Sequence, residues 1–271
     1  MSDDLTYCYK HPDRETGVSC QRCDRYICPD CATPGAVGYL CPEDAGVKST
    51  VVKANFQKPL IQLMPVTLLF MAINIIVFVF EMLDPTFIYA IDFRIYSPET
   101  SSLVRAFTSG FAHSTSDLLH ILFNMWSLFI VGRILEPILG KLKFIILYFL
   151  SMFGGSLAFL ILGSYGAAVV GASGAIFGLM AALIIVLRAM KSDARQIMLL
   201  VGINFFLSFS PGIAWQAHVG GFIAGGLVTL VYAKFRKPNE QSTLYILVAV
   251  IAVALAGLWI YGNNLLPYAI N

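Results

Sequence analysis

The chain has 271 residues, of which 58% are hydrophobic and 13% charged, with a mean hydropathy of +0.75. A soluble domain carries about 25% charged residues, so the composition excludes one and marks an all-α polytopic membrane protein. The net charge of +2 comes from basic residues in separated clusters, which gives no argument for nucleic acid as a partner.

All six cysteines fall between Cys8 and Cys41, with none in the rest of the chain. That asymmetry divides the chain into a Cys-rich head at 1–46, a polar linker at 47–60 with Lys48, Lys53 and Lys58, and a membrane body. The first 50 residues lack an apolar h-region, so no cleavable signal peptide is expected. Within the head, Cys8 and His11, Cys20 and Cys23, Cys28 and Cys31, and Cys41 and Asp44 each stand three apart, giving eight candidate ligands. Two tetrahedral zinc ions need eight, and so short a segment requires metal to supply folding energy. A disulfide framework demands an oxidising compartment, and the spacing favours structural zinc over it. The pattern resembles a B-box-type zinc finger. That resemblance implies interleaved sites: Cys8, His11, Cys28 and Cys31 for one ion, Cys20, Cys23, Cys41 and Asp44 for the other. Asp44 departs from the usual thiolate or histidine, and Glu43 competes with it as donor. Such modules bind partners or brace a fold, and a cytoplasmic protein partner is the expectation for the head.

Seven apolar stretches follow, near Leu63 to Leu83, Leu118 to Leu139, Phe144 to Leu162, Ala172 to Leu187, Ile197 to Phe209, Ile213 to Tyr232 and Ser242 to Leu266. A bilayer crossing needs about 20 residues, so the fourth and fifth are short; the charge pattern requires both. A long loop at 84–117 separates the first two. Three basic residues follow each of spans two, four and six: Arg133, Lys141 and Lys143; Arg188, Lys191 and Arg195; Lys234, Arg236 and Lys237. The loops on the other side carry Arg94 and Arg105. By the positive-inside rule the N-terminus is cytoplasmic and the C-terminus lies outside, in a multi-pass protein of the plasma membrane. Trp259, Tyr261 and Tyr268 are read as aromatics at the outer interface. A cytoplasmic head sits in a reducing compartment, in agreement with zinc.

Polar groups inside spans are costly and mark function. Ser173 opens span four within Gly171-Ala172-Ser173-Gly174, a stretch that alone reads as close helix packing. His218 lies one turn into span six, and His120 and Asn124 share a face at the start of span two. All four sit at one shallow depth. Gly221 and Gly225 follow His218 on its face and allow span six to press on Gly174 and Gly178 of span four. That approach brings His218 within reach of Ser173 as its general base. No acidic residue shares the layer, which points to a dyad. The Asn124 amide, the His120 ring and the Ser173 backbone N–H are candidate oxyanion donors.

With these residues in view, positions 60 to 266 resemble the rhomboid intramembrane serine proteases. Gly171-Ala172-Ser173-Gly174, the His120 and Asn124 pair, and Ala217-His218-Val219-Gly220-Gly221 match the family's nucleophile, oxyanion and base motifs. Gly132, Glu136 and Gly140 match the end of its second span and otherwise read as helix termination. The resemblance implies a Ser173–His218 dyad without a catalytic cofactor, transmembrane protein substrates, a six-helix catalytic core at 61–235 and a seventh helix at 236–271. Three features depart from the family: Val104-Arg105 stands for Trp-Arg, His113 is seven positions before His120, and Phe177 replaces the Tyr of some relatives. The alternative is a catalytically inactive rhomboid-like binder or chaperone of membrane proteins. A transporter would show an internal repeat and mid-membrane charges, and neither is visible.

Overall fold

A computed structural model describes residues 6–34, 39–46, 62, 64–95, 102–190, 195–207 and 212–265. The linker at 47–60, Lys191 and Tyr268 lie outside the described residues. The chain divides into two compact units, Met1–Lys53 and Ala54–Asn271.

The head folds around its cysteines. Strands β1 (Thr33–Pro34) and β2 (Tyr39–Leu40) pair antiparallel, and helix α1 (Pro42–Gly46) follows. Cys8, Cys20, Cys28, Cys31 and Cys41 are buried together with Ile27, flanked by Tyr9, Ala32 and Leu40. That is too little carbon to hold a domain by burial alone. The turns are set by backbone bonds such as His11 N–H to Cys8 O (3.1 Å) and Cys31 N–H to Cys28 O (2.9 Å), which aim both side chains of a pair inward.

The body is helical. Among the described residues, five helices are long and apolar enough to cross a membrane: α2 (Pro65–Leu83), α5 (Leu118–Leu139), α6 (Lys141–Leu162), α9 (Trp215–Lys234) and α10 (Gln241–Leu265). Between them stand the shorter α7 (Ser173–Ala189) and α8 (Arg195–Leu207). At 1.5 Å per residue α7 is about 25 Å long, less than a hydrocarbon core of about 30 Å. Helices α6, α7 and α9 pack against one another at the centre, while α10 is the least buried of the long helices. Leu69, Ile75, Ile76, Val79 and Phe80 of α2 face outward, as a lipid-facing helix requires.

The stretch at 84–117 is more ordered than a plain loop. It contains α3 (Ile88–Ile91), β3 (Phe93–Arg94) and α4 (Leu103–Thr108), and β3 pairs antiparallel with β4 (Ala168–Val169). Arg105 ties it together, donating from Nη1 to the carbonyls of Tyr89 (2.7 Å) and Asp92 (3.1 Å) and to Asp92 Oδ1 (3.2 Å). The loop is thus braced without the tryptophan. The reading of Trp259 as an interfacial aromatic is overturned: it is buried, with its ring 5.3 Å from Phe93 and 5.2 Å from Phe153. Tyr261 is exposed, as an interfacial aromatic would be.

Candidate active site

A glycine seam builds the site. At Gly221 an added Cβ would overlap the Gly174 carbonyl, and at Gly225 it would lie 2.5 Å from Gly178 Cα. Helices α7 and α9 therefore touch backbone to backbone. A third helix joins them, which the sequence reading missed: a Cβ at Gly155 of α6 would stand 2.7 Å from Ala217 O and 3.4 Å from Gly174 Cα. Adjacent Gly154 meets Gly220 and Ala224 in the same manner. The signal was available in Gly154-Gly155, flanked by Ser151 and Ser156 in an otherwise large-residue span.

This seam sets the polar pair. His218 Nε2 lies 2.7 Å from Ser173 Oγ, and His218 is buried. Phe177, one turn below Ser173, stacks on the imidazole with centroids 4.3 Å apart and planes 7° from parallel. The ring is fixed by the stack at one face and by the hydroxyl at its edge. Such an arrangement suits transfer of the hydroxyl proton to nitrogen as the oxygen attacks a carbonyl.

His120 and Asn124 line the other side. Gly171 adopts φ +118, and a Cβ there would stand 2.8 Å from His120 Nε2 and 3.7 Å from Ser173 Oγ. The missing side chain leaves open the space that both atoms border. Asn124 is buried, and its Nδ2 donates to the His120 carbonyl at 2.9 Å, one turn back on α5. One amide hydrogen is so used, and the second remains for a ligand.

Buried polar side chains tie α2 to the α5 region at both of its ends. His113, seven positions before His120, is fully buried; its ring lies 5.1 Å from that of His120. Its peptide N–H meets both carboxylate oxygens of buried Glu81 on α2, at 3.1 and 3.0 Å. At the opposite end of α2, Glu136 of α5 accepts from the N–H groups of Val66 and Thr67 (each 2.8 Å) and from the Thr67 hydroxyl (2.6 Å). Its expected role in helix termination is too narrow, because it caps the first turn of α2. Gly132 leaves the room that Thr67 occupies.

In the head, two ligand groups assemble: Cys8, His11, Cys28 and Cys31; and Cys20, Cys23, Cys41 and Asp44. His11 Nδ1 lies 3.7, 3.4 and 3.4 Å from the sulfurs of Cys8, Cys28 and Cys31, and Cys23 Sγ lies 3.8 Å from Cys41 Sγ. A tetrahedral ion with metal–sulfur bonds of about 2.3 Å separates its sulfurs by about 3.8 Å, so both donor sets fit a metal ion. Hydrogen bonds from the Cys23, Cys20 and Cys41 thiols hold the Asp44 carboxyl down to about 2 in the metal-free head. Glu43 points elsewhere, pairing with Arg25 (2.5 Å) and Lys10 (3.8 Å).

Comparison with known proteins matches the Rhomboid domain to residues 100–235, half of the chain, with the head, α2 and α10 outside the match. RHOMBOID-like protein 5 of Arabidopsis thaliana is 34% identical over 134 residues, 45% of this chain and 43% of that protein. Rhomboid-like protease 3 of Toxoplasma gondii is 33% identical over 150 residues, 51% of this chain and 56% of that protein. The protein named Inactive RHOMBOID-like protein 8 of Arabidopsis thaliana is 33% identical over 133 residues, 46% of this chain and 37% of that protein. The chain thus spans less than two thirds of the length of these relatives.

Proposed function

This chain belongs to the rhomboid family, and on that premise we propose that it is an intramembrane serine endopeptidase cleaving transmembrane segments with a Ser173–His218 dyad. The observation that carries the reading is the 2.7 Å separation of His218 Nε2 from Ser173 Oγ. Proteases among the relatives, Rhomboid-like protease 3 included, support it.

In the proposed reaction Ser173 Oγ attacks the scissile carbonyl carbon while His218 Nε2 takes its proton. The oxyanion forms beside Gly171, where the Ser173 N–H, the His120 ring and the free amide hydrogen of Asn124 act as donors. Collapse of the tetrahedral species breaks the C–N bond, and His218 delivers its proton to the leaving amine. A water deprotonated by His218 then attacks the acyl carbon and releases Ser173. An intact helix shields its carbonyls, so the substrate is a segment with small or helix-weakening residues that unwinds at the site. Helix α8, short and free of charge beyond Arg195, is the proposed gate.

Seven crossings, α2 and α5 to α10, are proposed, with Arg133, Lys141, Lys143, Arg188, Lys234 and Arg236 on the cytoplasmic side of the plasma membrane. The site then opens outward, with the N-terminus inside and the C-terminus outside. The proposed domains are the head at 1–46, the linker at 47–60, the catalytic core at 61–235 and the added helix at 236–271. The head is proposed as a B-box-like module of two structural zinc ions that recruits a cytoplasmic protein; the ions fix its fold and take no part in proteolysis.

A second reading, an inactive binder of membrane proteins, draws on the relative named inactive. Fluorophosphonate labelling and cleavage of a transmembrane reporter separate the two. Labelling of wild type, its loss in Ser173→Ala and loss of cleavage in His218→Ala are expected. Undiminished labelling in Ser173→Ala overturns the protease reading.

A further inference from the structure

Glu81 is fully buried near the C-terminal end of α2, and the reaction above makes no use of it. A carboxylate within a membrane span is expensive unless it has a task. Among the described residues its hydrogen bonds go to one group, the His113 peptide N–H, held by both oxygens at 3.1 and 3.0 Å. His113 is fully buried as well, and its Nδ1 approaches the Phe111 carbonyl at 3.3 Å. A carbonyl only accepts, so Nδ1 carries the hydrogen and Nε2 presents a lone pair. That lone pair has no partner among the described residues, while the ring packs 5.1 Å from His120. The next link is His120 Nε2 at the edge of the open space beside Gly171 and Ser173.

The chain of contacts runs from α2 to the oxyanion side of the site. Helix α2 is also gripped at its other end by Glu136, so the carboxylates fix it to the α5 region at both levels. Glu136 fills the ordinary task of capping a helix start. Glu81 instead grips a peptide in the irregular segment before α5, where no helical bond holds that N–H. We propose that Glu81 is a positioning residue for the oxyanion site: by anchoring the His113 peptide it sets the His113 ring, and through it the orientation of His120. This deepens the protease reading and rests on it.

A pair of substitutions separates positioning from charge. Glu81→Gln keeps an acceptor oxygen at the same reach without the charge; Glu81→Asp keeps the charge but withdraws the oxygens by one methylene. Full-length protein in proteoliposomes is assayed on a transmembrane reporter, with kcat and KM separated. Positioning predicts that Gln stays within about threefold of wild type, while Asp loses kcat about tenfold at unchanged KM, the scale of a small misplacement. It also predicts that Glu81→Asp adds nothing in a His120→Ala background, where fluorophosphonate labelling rates report residual reactivity. Three results overturn it: Asp matching wild type, Gln losing more than Asp, or an Asp effect that persists in full with His120→Ala. A folded wild type that neither cleaves nor labels sinks the protease reading itself; wild-type cleavage with an indifferent Asp variant sinks only this inference.

Discussion

The substitution Gly155→Ala tests whether the three-helix seam sets the chemistry. Gly155 sits on α6, yet its missing side chain faces the backbone beside both members of the proposed dyad. A Cβ there would stand 2.7 Å from Ala217 O, next to His218, and 3.4 Å from Gly174 Cα, next to Ser173. Ordinary contact begins near 3.4 to 3.5 Å, so α9 must retreat by about 0.7 Å while α7 barely moves. The obstacle is a main-chain carbonyl within a helix, and no side-chain rotation relieves it. The Nε2 to Oγ distance of 2.7 Å then opens toward the limit of hydrogen bonding.

A misplacement of this size costs about 10- to 100-fold in kcat, or about 1.4 to 2.7 kcal/mol of transition-state stabilisation. Cleavage of a transmembrane reporter in proteoliposomes measures it, with thermal unfolding alongside to track overpacking of about 1 to 3 kcal/mol. Gly257→Ala on α10 is the control, because among the described residues nothing lies within 4 Å of its added Cβ. Gly155→Ala cleaving within threefold of the control would refute the claim that helix separation sets the dyad.

Other contacts carry their own tests. Phe177→Ala removes the ring stacked 4.3 Å from His218 and should lower kcat about tenfold, whereas Phe177→Tyr keeps the stack and the rate; equal rates for all three would deny the ring a part in fixing the base. Glu136→Ala strands the N–H groups of Val66 and Thr67 and should cost about 2 to 4 kcal/mol of stability, read as a lowered unfolding temperature in micelles; an unchanged temperature would mean that water replaces the cap. Metal analysis should find two zinc ions per chain, falling to one in Asp44→Ala, since the two ligand groups share no residue. Disulfides in the freshly isolated protein would contradict that expectation.

Legibility in the sequence followed the physics of each feature. The long helices were visible because a bilayer imposes length and hydropathy on each crossing, and spacing alone paired Cys8 with His11 and Cys41 with Asp44. Ser173, His218, His120 and Asn124 were singled out because a polar side chain in an apolar run is conspicuous. What escaped were the contacts between segments far apart in sequence. Glu136 stood out in the spacing of Gly132, Glu136 and Gly140, but its partner Val66 lies 70 positions away; Glu81 reaches the His113 peptide across 32 positions with no local pattern to mark it. The strand pair of Phe93–Arg94 with Ala168–Val169 is two residues long on each side, too short to leave an alternation. Trp259 was misjudged because an aromatic near a span's end looks the same whether it meets headgroups or, as here, two phenylalanines.

The beginning of α7 shows why small residues surround Ser173 beyond their use in packing. The first four N–H groups of a helix lack intrahelical partners, and a capping side chain is worth about 1 kcal/mol. Here the N-cap is Ala172, which has no oxygen and adopts φ −67, ψ −4 instead of the extended geometry that a capping side chain requires; no side-chain cap bond forms. Gly171, at φ +118, turns the chain into the helix without a side chain that would cover this end. The positive end of the helix dipole therefore faces the space bordered by His120 Nε2 and Ser173 Oγ. A serine or aspartate cap would place an acceptor where developing negative charge needs donors. The stability forgone at this helix start and the charge stabilisation open to an oxyanion in the proposed reaction have one cause, a helix that begins at Ser173, the proposed nucleophile, without a cap.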